Sequence, residues 1–168
     1  AQSCAVGAAA KESADAANGM QTVARAIVAT LIVAKAIAGR IEVTEGELGR
    51  RDSEAARAMQ RSLKAARQAF VEAVDFIAGG TKGQPNAAYA GSVPYLLLAG
   101  NVVAGWQMAR SLMAAEDRLA EGTDPEFMKA KIATARFYAD HVLSRVAGLR
   151  QAVVEGAAGV AAMPVDAF

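Results

Sequence analysis

The sequence predicts an all-α protein arranged as an up-down-up-down antiparallel four-helix bundle, and three observations support this. Hydrophobic residue types make up 54% of the 168 residues, but much of that share is alanine, and aromatic residues are only 5%. Alanine is the best helix former and a poor strand former. Glycine and proline cluster in a few places instead of recurring at the short intervals that strands and turns require. Four stretches repeat apolar residues at steps of three and four, the spacing of helices that pack together.

The first helix is predicted over about residues 8–38, with Asp15 as an alternative start. Gly39 is expected to end it in a left-handed conformation. Because 39–51 holds three glycines and several charges, it is predicted to be a loop. The apolar seam of this helix is Met20, Ala24, Ile27, Leu31, Ala34 and Ala38.

The second helix is predicted over about residues 52–78. It should open at Asp52 or Ser53 and close where Gly79 and Gly80 begin a turn. Its seam repeats the same rhythm at Ala56, Met59, Leu63, Ala66, Phe70, Ala73 and Ile77.

The third helix is predicted over about residues 87–120, with Asn86 as its cap. Pro94 lies inside this run, removes one backbone donor and crowds the preceding turn. We therefore expect a kink near 90–91, or a main helix that starts at Pro94. The seam is Tyr95, Leu98, Val102, Gly105, Ala109, Leu112 and Leu119.

The fourth helix is predicted over about residues 124–156. Either Asp124 caps it with Pro125 at the first helical position, or Thr123 caps it with Glu126 completing a capping box. Both alternatives start the helix at the same place. Its seam is Met128, Ile132, Ala135, Ala139, Val142, Val146, Leu149 and Val153.

Charge and cysteine content exclude several partners. Eighteen basic and seventeen acidic residues are interspersed and give a formal charge of +1, whereas nucleic-acid binding usually needs a basic patch. Arg25 and Lys35 interrupt the most apolar stretch, 20–38, and a charge at bilayer depth costs roughly 2.5–3.5 kcal/mol. We therefore predict neither a nucleic-acid partner nor a membrane segment. A single cysteine, Cys4, cannot form an internal disulfide and is typical of a cytoplasmic protein.

The sequence predicts no catalytic, cofactor-binding or metal-binding residue in this chain. A di-iron site in a helical bundle needs two Glu-x-x-His pairs. The chain has one histidine, His141, and no glutamate lies three residues before it. Zinc needs several Cys or His ligands, and only one of each is present. No glycine-rich dinucleotide or phosphate-loop pattern occurs. His141 is expected to be a partly exposed structural residue.

Five residues are candidate packing or interface positions: Tyr95, Trp106, Arg136, Phe137 and Tyr138. Trp106 and the pair Phe137 and Tyr138 are more typical of core or interface anchors than of a cofactor site. Arg136 is expected to lie along a helix surface with its head in water, and the alternative is an anchor for a carboxylate or phosphate. Counting outward from the turn between the third and fourth helices places Trp106 beside Tyr138.

Two motifs in the second half of the chain are specific enough to indicate a protein family. The first is AGSVPYLLLAG at 90–100, followed by Gly105, Trp106 and Arg110. The second is KIATARFYA at 131–139. Together they resemble the C-terminal domain of a long acyl-CoA dehydrogenase subfamily, which includes the 3-methylmercaptopropionyl-CoA dehydrogenases. The resemblance covers roughly half of the chain, since the first two helices agree only in general character.

The resemblance implies that 1–168 is a single helical domain forming the C-terminal part of a longer enzyme. Such an enzyme binds FAD and introduces a trans double bond between the α and β carbons of an acyl-CoA. In that family a glutamate base removes the α proton and the flavin accepts a hydride, on parts that lie upstream of this domain. The implied partners are the catalytic domains of the parent enzyme, further copies in a homo-oligomer, and acyl-CoA bound by the parent. This chain itself is expected to bind no FAD and to be inactive alone.

A stand-alone interaction or sensory module is the competing interpretation. Such a helical bundle would use an exposed apolar seam to dock a partner helix. A gene that continues upstream into a flavin-binding dehydrogenase would exclude this alternative.

Overall fold

The structure is a computed structural model, and it describes residues 31–83 and 85–162. All regular elements within these residues are helical and none is a strand, so the predicted all-α class is confirmed. The predicted start of the first helix, most of its seam and Cys4 fall in 1–30, outside the described residues.

The helices pack mainly around α2 and α4. In chain order they are α1 over 31–48, α2 over Glu54–Gly83, α3 over Pro85–Ala90, α4 over Ser92–Ala120, α5 over Pro125–His141, a 3-10 turn over Leu143–Arg145, α6 over Val146–Glu155 and α7 over Ala157–Ala161. Helix α4 contacts α2, α5 and α6, and α2 also contacts α5 and α6. Burial of apolar surface stabilises this packing. The largest fully buried side chains are Ile41, Leu48, Met59, Leu63, Leu98, Val102, Leu112, Val146 and Val153.

The first helix does not end at Gly39, and the predicted loop over 39–51 is wrong for most of its length. Helix α1 continues to residue 48 because its apolar rhythm continues at Ile41 and Leu48, which are fully buried. A Cβ at Gly39 would meet nothing within 4 Å, so this glycine faces open space. A glycine inside a helix costs about 1 kcal/mol relative to alanine. Burial of the two residues beyond it offsets that cost.

Polar contacts hold the last turns of α1 against α2. The Glu45 side chain is 7% exposed and accepts hydrogen bonds from Arg67 Nε at 2.8 Å and Nη2 at 3.1 Å. The Arg67 guanidinium also lies 3.4 Å from Glu42, and the Gln60 amide donates to the Glu45 carbonyl at 3.1 Å. The hydrogen bonds to Glu45 raise the pKa of Arg67 above its ordinary value. A carboxylate tolerates this burial because it is paired and hydrogen-bonded.

The second helix begins as predicted but ends later. Ser53 precedes α2, and its Oγ accepts a hydrogen bond from the Ala56 amide at 2.9 Å, which confirms Ser53 as the cap. Gly79 and Gly80 lie inside α2, which runs to Gly83, so the turn predicted there is wrong.

The predicted third helix is interrupted at Gly91, where a kink was expected, and α4 begins at Ser92, two residues before the alternative start at Pro94. Pro94 lies in the first turn of α4, where amides have no carbonyl partner within the helix, so its missing donor is tolerated. Asn86 lies inside α3 after Pro85 and is not the predicted cap. A Cβ at Gly91 would lie 3.2 Å from the carbonyl oxygen of Val153, so glycine permits a close approach to α6.

The fourth helix begins at Pro125 as predicted, but its capping differs. Asp124 precedes α5 in a left-handed conformation, with φ of 42°, and its side chain makes no capping hydrogen bond. The proline fits the first helical position without a side-chain cap, because its φ is already helical and it lacks an amide donor.

The fourth helix is also not continuous to residue 156. The 3-10 turn Leu143–Arg145 interrupts it, and Leu143 is buried in place of the predicted seam residue Val142. A 3-10 turn holds three residues per turn instead of 3.6, which changes the position that faces inward. Leu143 packs into the space left by Gly105 of α4, where a Cβ would lie 2.6 Å from Leu143 Cδ2.

Leu112→Ala is expected to lower the free energy of unfolding by about 2–5 kcal/mol, since truncation of a fully buried leucine leaves a cavity. Leu96→Ala makes the same change on the same helix at a side chain that is 72% exposed. It should alter stability by less than about 0.5 kcal/mol. Denaturant unfolding followed by circular dichroism measures both, and equal losses would contradict the burial described here.

Arg67→Met is expected to lower the free energy of unfolding by about 3 kcal/mol, because it leaves the buried Glu45 carboxylate without its partner. Arg150→Met is the matched control, since Arg150 pairs with the exposed residues Glu72 and Glu155. Its expected cost is at most about 1 kcal/mol. The same denaturant experiment decides, and a larger loss in the Arg150 variant would refute the assigned role of Arg67.

Candidate interaction surfaces

The described part of the chain contains no cluster of three or more His, Cys, Asp or Glu side chains that could hold a metal ion. His141 is exposed, and its ring centroid lies 4.5 Å from that of Phe137. Within the same residues, no helix combines the length and the apolar character needed to cross a bilayer. The candidate positions are therefore best considered as contacts and surfaces.

Tyr95 and Tyr138 are half-buried and join neighbouring helices. The Tyr95 ring stacks on Phe70 of α2, with centroids 6.4 Å apart and 12° between the ring planes. The Tyr138 hydroxyl donates to the backbone carbonyl of Asn101 on α4 at 3.2 Å. Burial raises the pKa of both phenols. Both residues therefore act as packing anchors within this chain.

Trp106 connects α4 to α1. Its Nε1 donates to Thr44 Oγ1 at 2.9 Å. The guanidinium carbons of Arg40 and Arg110 lie 5.7 Å and 5.8 Å from the indole centroid, within the range of cation–π attraction. Trp106 and Tyr138 thus have different polar partners, and their predicted side-by-side pairing is not among the ring contacts of the structure. The prediction missed α1 as a partner because it ended that helix at 38.

Arg136 is partly exposed on α5, and its guanidinium binds two carboxylates of this chain. Its Nε donates to Asp140 at 2.6 Å and its Nη1 to Glu54 of α2 at 3.0 Å. The hydrogen bond to Asp140, followed by that to Glu54, raises the pKa of Arg136. Phe137 is 59% exposed and is therefore not a core residue.

An exposed apolar surface, here called the α4 face, was not singled out from the sequence. Val93, Leu96 and Leu97 are each more than half exposed, and a Cβ at the exposed Gly100 would meet nothing within 4 Å. Spacings of three, four and seven residues place these positions on one side of the helix. That side is opposite the buried seam, so the pattern was a detectable signal.

A groove between α1 and α4 is the second surface, here called the Trp106 groove. It has a volume of about 440 Å³. Sequence reasoning missed it because it assigned Arg40 to Glu47 to a loop. The groove is lined by Arg40, Val43, Thr44, Glu47, Trp106, Arg110 and Met113.

Raising the pH above about 10, the ordinary pKa of tyrosine, is expected to destabilise the protein through Tyr95 and Tyr138. Their pKa values are raised in the folded state, so the unfolded chain releases these protons first and stability falls as pH rises through this window. The double variant Tyr95→Phe and Tyr138→Phe should show a smaller alkaline loss than the parent chain. Thermal unfolding measured at several alkaline pH values tests this, and identical pH slopes would contradict it.

Known proteins similar to this chain identify its family. The chain is 48% identical over 110 residues to 3-methylmercaptopropionyl-CoA dehydrogenase of Ruegeria pomeroyi, a match that covers 66% of this chain and 18% of that relative. The chain thus spans only about a fifth of the relative's length. The family model described as "Acetyl-CoA dehydrogenase C-terminal like" matches residues 2–164. The chain therefore belongs to the family of acyl-CoA dehydrogenase C-terminal domains.

Proposed function

We propose that this chain is the C-terminal helical domain of an FAD-dependent acyl-CoA dehydrogenase-like enzyme, which introduces a double bond between the α and β carbons of an acyl-CoA thioester. Its contribution is to pack on the catalytic domains and to extend the subunit interface of a homo-oligomer. Family membership and the name of the relative, a dehydrogenase of an acyl-CoA, support the proposal. We further propose that the helices form an up-down-up-down four-helix bundle. In this bundle α3 and α4 together are the third helix, and α5 and α6 together are the fourth.

The observation that carries the docking role is the α4 face. Large apolar side chains at 93, 96 and 97 are exposed on a helix that is also apolar on its buried side. A helix that is apolar all round is normally covered on all sides. Exposed apolar patches with ordered spacing commonly mark interaction sites. The relative is several times longer than this chain, so the remainder of such an enzyme supplies a cover for this face.

The shape of the α4 face fits a partner helix. Leu96 and Leu97 form a ridge, and Gly100 leaves a shallow position one turn further along. Side chains of a facing helix can enter such a position when ridges pack into grooves. Burial of a leucine against a partner contributes about 1.5–3 kcal/mol, so two leucines are enough to affect docking strongly.

The described residues offer no fitting site for FAD. Three grooves in the described part of the chain have volumes of about 260, 440 and 480 Å³ and lie open along helix surfaces. A flavin that accepts a hydride needs an enclosed and oriented pocket. On this proposal, the parent's other domains hold the flavin and the base.

The decisive experiment expresses the full gene product and measures bound flavin, acyl-CoA oxidation with an electron acceptor, and oligomeric state by sedimentation. The double variant Leu96→Ser and Leu97→Ser should weaken docking and lower the thermal stability of the whole enzyme, because it removes apolar area from the interface. Phe127→Ser is the matched control, since Phe127 is also exposed but lies on α5.

A colourless full-length protein that oxidises no acyl-CoA in a panel would refute the enzymatic proposal and favour a stand-alone interaction module. In a second outcome, the full-length enzyme is coloured and active while the Leu96 and Leu97 double variant and Phe127→Ser lower its stability equally. That result would refute the docking role of the α4 face and leave the enzymatic proposal standing. Circular dichroism of the isolated chain should show unchanged helix content in both variants, since these residues lie outside the core.

A further inference from the structure

The Trp106 groove contains two arginines that are not neutralised by carboxylates. Four of the eleven arginines in the described residues each lie within ion-pair distance of two acidic side chains, namely Arg51, Arg67, Arg136 and Arg150. In the described residues, Arg40 and Arg110 form no ion pair. The one side-chain hydrogen bond of Arg110 goes to the neutral amide oxygen of Gln107, at 3.1 Å. Each guanidinium therefore retains most of its five donors.

The indole of Trp106 holds these two arginines in a defined place. Both guanidinium groups lie within 6 Å of the ring centroid, and stacking on an aromatic ring leaves the N–H edges free to donate. The indole itself is fixed by its hydrogen bond to Thr44, a buried residue whose hydroxyl in turn donates to the Arg40 carbonyl at 3.2 Å. The positive charges are thus placed on a rigid support, as an anion site requires.

The groove also has room and apolar surface for an organic group. It has a volume of about 440 Å³ and is open to solvent along the helix surfaces, so a ligand there keeps one side exposed. Val43 and Met113 supply apolar walls beside the indole. Glu47 lines the same groove, so the two arginines and this glutamate give the groove a net charge of +1. This small charge disfavours a long polyanion. It suits a compact ligand with one strongly charged end.

We propose that the Trp106 groove binds the phosphate group of a small phosphorylated organic ligand, with Arg40 and Arg110 as the phosphate-binding residues. A phosphate has more acceptor oxygens and more negative charge than a carboxylate, so it suits two guanidinium groups better. The carbon-bearing part of the ligand lies against Trp106 and Met113. This site is independent of the proposed dehydrogenase function, because it needs only residues of α1 and α4.

The only tryptophan of the chain lies in the groove, so its fluorescence and its indole N–H signal in NMR spectra report directly on binding. The full 168-residue chain is titrated with adenosine monophosphate, inorganic phosphate and adenosine. Both phosphate compounds should shift the Trp106 signals in a saturable manner, and adenosine should bind at least tenfold more weakly than its monophosphate. The ratio of the two phosphate affinities shows whether the groove prefers an organic phosphate or the free ion.

Arg40→Gln and Arg110→Gln should each weaken phosphate binding about tenfold or more, because each removes a charge-assisted hydrogen-bond donor. Glu47→Gln should strengthen it severalfold, since it removes a repelling charge from the same groove. Arg61→Gln is the control, because Arg61 lines a different groove and should leave the affinity unchanged. Circular dichroism confirms that each variant is folded.

Three results would overturn the site. They are no saturable change with either phosphate compound, an affinity for adenosine equal to that for its monophosphate, or a loss in Arg61→Gln as large as in the two groove variants. An effect of Glu47→Gln in the opposite direction would also refute the electrostatic basis of the proposal.

Discussion

The contact between α2 and α4 is the constraint on which the other packing depends. Met59 and Leu63 on one helix and Leu98 and Leu112 on the other are fully removed from water. Helices α5 and α6 pack against the apolar surface that α2 and α4 form together. Helix α1 is joined to α2 by the buried ion pair of Glu45 with Arg67, and to α4 by the hydrogen bond from Trp106 to Thr44.

Helix α4 has a different role on each of its sides. Its seam fills the core, its N-terminal half carries exposed leucines, and its C-terminal half forms one wall of the groove beside α1. A single helix can do this because neighbouring positions lie about 100° apart around its axis. Trp106 lies at the boundary between core and groove, where it is half-buried, its Nε1 is hydrogen-bonded and two arginines lie within cation–π distance of its ring.

Three features could be predicted because each has a local cause in the sequence. The apolar rhythm indicates the helical class, Gly91 with the nearby Pro94 indicates the break before α4, and Pro125 indicates the start of α5. The extent of α1 could not be predicted, since Gly39 is a local stop signal that burial of Ile41 and Leu48 overrides. The 3-10 turn before α6 carries Leu143, whose packing partner Gly105 lies far away in the sequence, so no local pattern indicated it. The α4 face could have been found in the sequence, because its apolar residues lie on the side of the helix opposite the seam. The Trp106 groove could not, because finding it requires knowing that α1 extends beside α4.

The fit between Gly105 and Leu143 links two positions that are far apart along the chain. The leucine occupies the volume that any side chain at 105 would need, with its methyl carbon 2.6 Å from where a Cβ would stand. Alanine at 105 would therefore require the Leu143 side chain to move, whereas a smaller residue at 143 would leave room for the added methyl group. The 3-10 turn thus places Leu143 in the space that the absent side chain of Gly105 leaves open.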